Sequence, residues 1–279
     1  MSIRSFLAAF AATLLLLTPT AAGADTVLRP DLQSQFQAVG TAGTMVVERS
    51  GGGQRPRTWV VDGHRAARRY LPSSTFKIPN ALLAIDRNVA SGADQPYPGP
   101  NPNFVVDGLP FLPTTCEGDL TLTTALTSSC IPIFQRIARR IGLRTFTHEL
   151  ATFDYGNHDM AGAQVDRFWL DGPLAISANE QVEFLRRLER GRLPVSRKAL
   201  RDVRDMLILE RNQCTVLRGK TGYVFTTAPR VGWWVGWVQR GLTTWTFALN
   251  LDITKPEHAA ARVPIGRAIL TQLGAFDAC

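Results

Sequence analysis

Three strand-like runs near the C-terminus constrain this chain most. "TVLRGKTGYVF", "RVGWWVGWV" and "TTWTFALNLDI" follow one another from Thr215, the last two joined by a turn at Gln239-Arg240-Gly241. Such β-branched and aromatic runs bounded by turn residues read as strands. Near the other end, "TMVVERS", "GGGQ" and "RTWVVDG" read as a hairpin. Between these, Ser74 to about Asn212 is mostly helical in pattern. Its clearest helix is "ANEQVEFLRRLERG", with Val182, Leu185 and Leu188 on one face and Gly191 as its stop. Pro-rich linkers, "QPYPGPNPN" and "LPFLPTT", cut the region into short pieces. A last helix follows Pro256, with Val263, Ile265, Ile269, Leu270 and Leu273 as its apolar set. Strands at both ends of a helical segment predict an α/β chain of the α+β kind. One antiparallel sheet is flanked by helices, with a helical lobe beside it. The sheet is expected over about 25–72 and 213–279, and the lobe over about 73–212, within a single domain.

The first residues stand apart from that fold. "MSIRSFLAAFAATLLLLTPTAAGA" has one Arg, an apolar stretch from Phe6 to Leu17, then Pro19 and small residues ending in Ala22-Gly23-Ala24. This is the pattern of a secretory signal over 1–24, with export to the periplasm and no stable membrane association after cleavage. Removing it takes Arg4 and lowers the net charge from +8 to +7. The basic residues are scattered or lie on helical faces, as in "RIARRIGLR", without interleaved aromatics, so nucleic-acid binding is not indicated. His64, His148, His158 and His258 are isolated, and no Cys-x-x-Cys spacing occurs, so no metal site is expected.

Candidate chemistry begins at "PSSTFKIPNALLAID". Lys77 lies in an otherwise apolar run, and Ser74 precedes it by three positions. On a helical turn that spacing puts both side chains on one side. The residues alone also fit a capping serine and a snorkelling lysine. Lys220-Thr221-Gly222 lies on an expected strand. "SSCIPIF" places Ser129 at the start of an apolar helix, where a serine also serves as a cap. "DYGN", Asp154 to Asn157, reads as a polar turn with a buried tyrosine.

Taken in order, Ser74-Thr75-Phe76-Lys77, Ser129-Cys130-Ile131, Tyr155-Gly156-Asn157 and Lys220-Thr221-Gly222 resemble the class D serine β-lactamases, the oxacillinases. "IPIFQRIARRIG", "VDRFWLDGPLAISANEQVEFL" and "GWWVGWV" extend the resemblance over most of the chain after residue 24. One departure stands out: the second motif usually ends in Val, and here it ends in Ile131.

The resemblance implies the penicillin-recognising serine hydrolase fold, with the site between sheet and lobe. It implies hydrolysis of the β-lactam amide of penicillin-type antibiotics, with cephalosporins and carbapenems open. Ser74 would be the nucleophile, Ser129 and Lys220 a proton relay to the leaving nitrogen, and the Ser74 and Tyr223 N–H groups the oxyanion hole. Thr221 and Arg262 would hold the substrate carboxylate beside Gly222. Phe76, Ile131, Trp169 and Leu170 would form an apolar pocket around Lys77, whose neutral amine takes up carbon dioxide to become a carbamate. Trp169 would donate its indole N–H to that group. No other cofactor is implied. The Ser-Asp-Asn motif of class A relatives is absent, and the nearest match to their Glu-x-x-Leu-Asn, Glu117 to Thr121, precedes Ser129. A penicillin-binding transpeptidase or carboxypeptidase, or a β-lactam sensor domain, is the alternative.

Four cysteines allow three complete pairings. Cys116 and Cys130 both belong to the stretch leading into the Ser129 motif, so a bridge there would brace it. Cys214 and Cys279 are the other possible pair.

Overall fold

The computed structural model describes residues 25–99, 104–106, 109–111 and 116–277. The proposed signal segment therefore lies outside the described residues, as does Cys279. Seven strands form one sheet: β1 (Asp25–Leu28), β2 (Gly43–Gly51), β3 (Arg57–Val60), β4 (Ile208–Arg211), β5 (Thr215–Val224), β6 (Arg230–Arg240) and β7 (Thr243–Ile253). Their order is β1-β3-β2-β7-β6-β5-β4. The two ends of the chain meet at β2 and β7, where Val47 lies opposite Phe247 and Thr44 opposite Asn250. The expected hairpin is β2–β3, and the three C-terminal runs are β5, β6 and β7.

Besides two small two-stranded sheets within 96–121, where the sequence suggested linkers and helix, two features of the main sheet differ from the sequence expectation. β1 pairs with β3 in parallel, so the sheet is mixed at that edge. Ile208–Arg211, expected in the helical lobe, is a strand on β5. Its side chains are mostly exposed, so no buried face imposes a period-2 pattern on them.

The longer helices are α1 (Lys77–Asp86), α2 (Ile131–Ile141), α3 (Leu143–Thr152), α4 (Ala178–Glu189), α5 (Arg197–Met206) and α6 (Pro256–Gln272). α4 starts where the sequence places it. The Ser177 hydroxyl accepts from Glu180 N–H, and the Glu180 carboxylate accepts from Ser177 N–H, a reciprocal cap. Gly191 follows its end at φ +65°.

The sheet is covered on both faces. Trp233, Val235 and Trp237 pack with the helical lobe, while Trp234 and Val238 pack with Ile265, Ile269 and Leu270 of α6. This explains the unbroken apolar run "GWWVGWV": a strand buried on both faces has no polar side to alternate with. α1 is the lobe's central helix, buried from Lys77 through Ile85. The placement of Lys77 in the core is therefore set by the helix it begins.

Candidate active site

The nucleophile turn, Ser73–Phe76, is a single 3-10 turn that runs directly into α1. Lys77 is thus the first residue of the α-helix, and Pro79 falls in its first turn, where a missing N–H costs nothing. Lys77 Nζ donates to Ser74 Oγ at 3.0 Å. The lysine has 0% of its surface exposed, and Ser74 has 6%. Among the described residues no carboxylate pairs with Lys77; the Phe134 ring lies 5.5 Å from its nitrogen. Burial, and then the charge of Lys220, hold its amine well below the usual lysine range.

The pocket around it is aromatic and aliphatic. Phe76 stacks on Trp169 at 5.3 Å between centroids, and both are fully buried, as is Leu170. Ile131, the second motif's third residue, is buried with them in the same core. The Trp169 segment is fixed to the nucleophile turn by the Ser73 N–H, which donates to Trp169 O at 2.9 Å. Asn157 fastens the following stretch. It donates to Pro173 O at 3.0 Å and accepts from Ala175 N–H at 2.9 Å. Tyr155 packs on Phe76 and Phe184, and burial pushes its phenol above the ordinary range. The "DYGN" turn therefore supports the pocket wall.

Trp169 Nε1 is buried without a hydrogen-bond partner among the described residues. An unpaired buried donor costs about 1–3 kcal/mol. A carboxyl group on the Lys77 nitrogen fits this donor set. Burial and then the Lys220 charge favour the neutral amine, the form that would take it, and an indole N–H is a donor only.

Across the cleft, Lys220 Nζ donates to Ser129 Oγ and, at 2.9 Å, to Thr221 O. Ser129 is not a helix cap. Its φ is +60°, and Cys130 holds the capping position of α2. Burial and the neighbouring Arg262 charge lower Lys220 to about 7. Arg262, on α6, reaches over Gly232, where a Cβ would meet its Cδ at 2.6 Å. Its Nη1 donates to Gly222 O and its Nε to Ala259 O. Burial lowers it to about 10. The site therefore holds two desolvated cationic side chains, Lys220 and Arg262, beside Thr221 and Gly222. That is a setting for an anion.

β5 reaches the nucleophile because Gly222 leaves room: a Cβ there would meet Pro72 O and Thr75 Cγ2 at 3.1 Å. Gly219 N–H donates to Leu207 O, away from β6. Alternation along a strand then turns the N–H and C=O of Thr221 and Tyr223 the same way. The Tyr223 carbonyl accepts from Ser73 Oγ on that side. Its N–H thus faces the nucleophile turn. The side chains named from the sequence come together here from the turn before α1, the start of α2, β5 and α6. Ser73 has no signal in the motif pattern and emerges only from the geometry.

A disulfide joins Cys116 and Cys130, 5.0 Å apart at Cα, directly beside Ser129. Cys214 also lacks a free thiol.

The family described as "Penicillin binding protein transpeptidase domain" matches residues 48–271. The chain is 40% identical to Beta-lactamase OXA-48 of Klebsiella pneumoniae, over 75% of this chain and 76% of that one. It is 38% identical to Beta-lactamase OXA-10 of Pseudomonas aeruginosa, over 75% of each. The class D β-lactamase YbXI from Nostoc superposes with a TM-score of 0.80 at 33% identity, covering 87% of this chain and 98% of that one. Sequence relatives and fold converge on one group with the site built above: the chain belongs to the class D β-lactamases.

Proposed function

We propose that this enzyme hydrolyses the amide bond of penicillin-type β-lactams through an ester on Ser74. The observation that carries this reading is the Lys77–Ser74 contact of 3.0 Å, both residues buried and Lys77 with no carboxylate partner among the described residues. A serine hydroxyl needs a base beside it, and burial turns a lysine into one.

Ser74 Oγ attacks the lactam carbonyl as its proton passes to the base held at Lys77. When bound to the Lys77 amine, carbon dioxide would supply that base; Trp169 Nε1 would donate to it, and Phe76, Ile131 and Leu170 would wall it from water. The N–H groups of Ser74 and Tyr223 receive the carbonyl oxygen as it becomes an oxyanion. The C–N bond breaks, and Ser129 hands its proton to the leaving nitrogen, replaced from Lys220. Thr221 and Arg262 hold the substrate carboxylate. The base at Lys77 gives up the proton it took, which restores Lys220; it then takes a proton from the attacking water and passes it to Ser74 Oγ as the ester C–O bond breaks. The leading segment 1–24 directs export to the periplasm, where such substrates are met.

The test is steady-state turnover of a penicillin and a chromogenic cephalosporin by the purified chain beginning near Asp25. Sustained turnover is expected. A stoichiometric burst with no turnover would instead mark an acylated transpeptidase or sensor domain.

A further inference from the structure

Ser73, immediately before the nucleophile, has a φ of +48°. This left-handed region strains a residue that carries a Cβ. Its side chain is 2% exposed. Two hydrogen bonds hold it there. Its N–H donates to Trp169 O at 2.9 Å, and its hydroxyl donates to Tyr223 O at 2.5 Å. The turn is braced from behind. Thr75 Oγ1 donates to Pro72 O at 2.7 Å and accepts from Gln181 Nε2 of α4 at 2.9 Å.

Among the described residues, no strand pairs with the outer edge of the part of β5 that Ser73 grips. Among the same residues β4 pairs only with Val216 to Arg218, and the outward bond that follows between backbone groups is Gly219 N–H to Leu207 O. Beyond it the N–H and C=O of Tyr223 leave the strand side by side. A free edge twists, and a donor that must meet a developing charge has to be fixed beforehand. The peptide before Tyr223 is held from the other side by Arg262 on Gly222 O.

We infer that Ser73 is a positioning residue for the oxyanion-binding backbone. By holding the Tyr223 carbonyl, its hydroxyl sets the direction of the Tyr223 N–H relative to Ser74 Oγ. This rests on the mechanism proposed above, in which that N–H receives the lactam oxygen. The strained φ of Ser73 is the conformation that lets its N–H reach Trp169 while its hydroxyl reaches β5.

Single-turnover kinetics of Ser73→Ala and Ser73→Gly with a chromogenic cephalosporin test this. Attack by Ser74 and attack by water both generate an oxyanion. Both rate constants should therefore fall together, by about tenfold each, while the noncovalent dissociation constant stays at its wild-type value. Glycine takes a positive φ without strain, so Ser73→Gly should melt at a higher temperature than Ser73→Ala and still share its kinetic loss. Wild-type rate constants in both variants would overturn the inference. So would a loss confined to acylation, or a loss in Ser73→Ala that glycine restores. Ser74→Ala serves as the control. If it still forms an acyl-enzyme the mechanism itself fails, whereas an inert Ser74→Ala beside unaffected Ser73 variants removes only the role of Ser73.

Discussion

Lys77 Nζ lies 3.0 Å from Ser74 Oγ on adjoining turns of one buried segment. The proposed nucleophile and the lysine beside it are thus placed by local backbone geometry, and the lowering of the lysine's pKa comes from what packs over it. Phe76, Phe134, Ile131 and Trp169 are all fully buried in the same core. They exclude the water that would keep an ammonium charged.

Removing the two partners should have different outcomes. Ser74→Ala should abolish hydrolysis, a loss of about 10⁴-fold or more in kcat. Lys77→Ala should leave at best a slowly formed acyl-enzyme that does not turn over, seen as a persistent mass adduct after incubation with penicillin. Normal turnover by Lys77→Ala would rule out the lysine as base.

Carbon dioxide dependence follows from the depressed Lys77 amine. Only the neutral amine adds carbon dioxide, and protonation reverses the addition. Activity should fall after incubation in degassed, mildly acidic buffer and return on adding bicarbonate. Chelators should have no effect. Inactivation by a chelator with recovery on adding zinc would contradict the serine mechanism.

Lys220 should set the alkaline side of the pH profile. Its folded pKa is lowered to about 7, and its relay role needs the protonated form. The kcat/KM of the free enzyme should therefore decline as pH rises through about 7. A bound substrate carboxylate favours the charged form, so the corresponding limb in kcat should lie at higher pH. Coincident limbs in kcat and kcat/KM, or an unchanged limb in Lys220→Arg, would argue against this assignment.

The Cys116–Cys130 bridge closes a loop of 14 residues beside Ser129. Its removal in Cys116→Ser/Cys130→Ser should cost about 3 kcal/mol of unfolding free energy by the chain-entropy account. Denaturant unfolding measures this. Thiol labelling of the folded, exported enzyme without reductant should modify neither cysteine, and labelling of both would show that the bridge is absent.

Much of this protein was legible in its residues for a physical reason. Periodicity and caps report which face of a segment is buried. They located β5, β6 and β7, the β2–β3 hairpin and the capped helix α4. The order of the motifs around Ser74, Ser129, Tyr155 and Lys220 then pointed to the family. Contact alone decided the rest. Ile208–Arg211 is a strand because β5 offers it an edge, and its exposed side chains carry no pattern of their own. Asp25–Leu28 runs parallel to β3, a direction that a short exposed segment does not encode. Ser129 meets Lys220 across 91 residues of chain, and Ser73 meets Tyr223 across 150. Local propensity determines how a segment folds; the desolvation that lowers the Lys77 and Lys220 amines arises only when distant segments close over them.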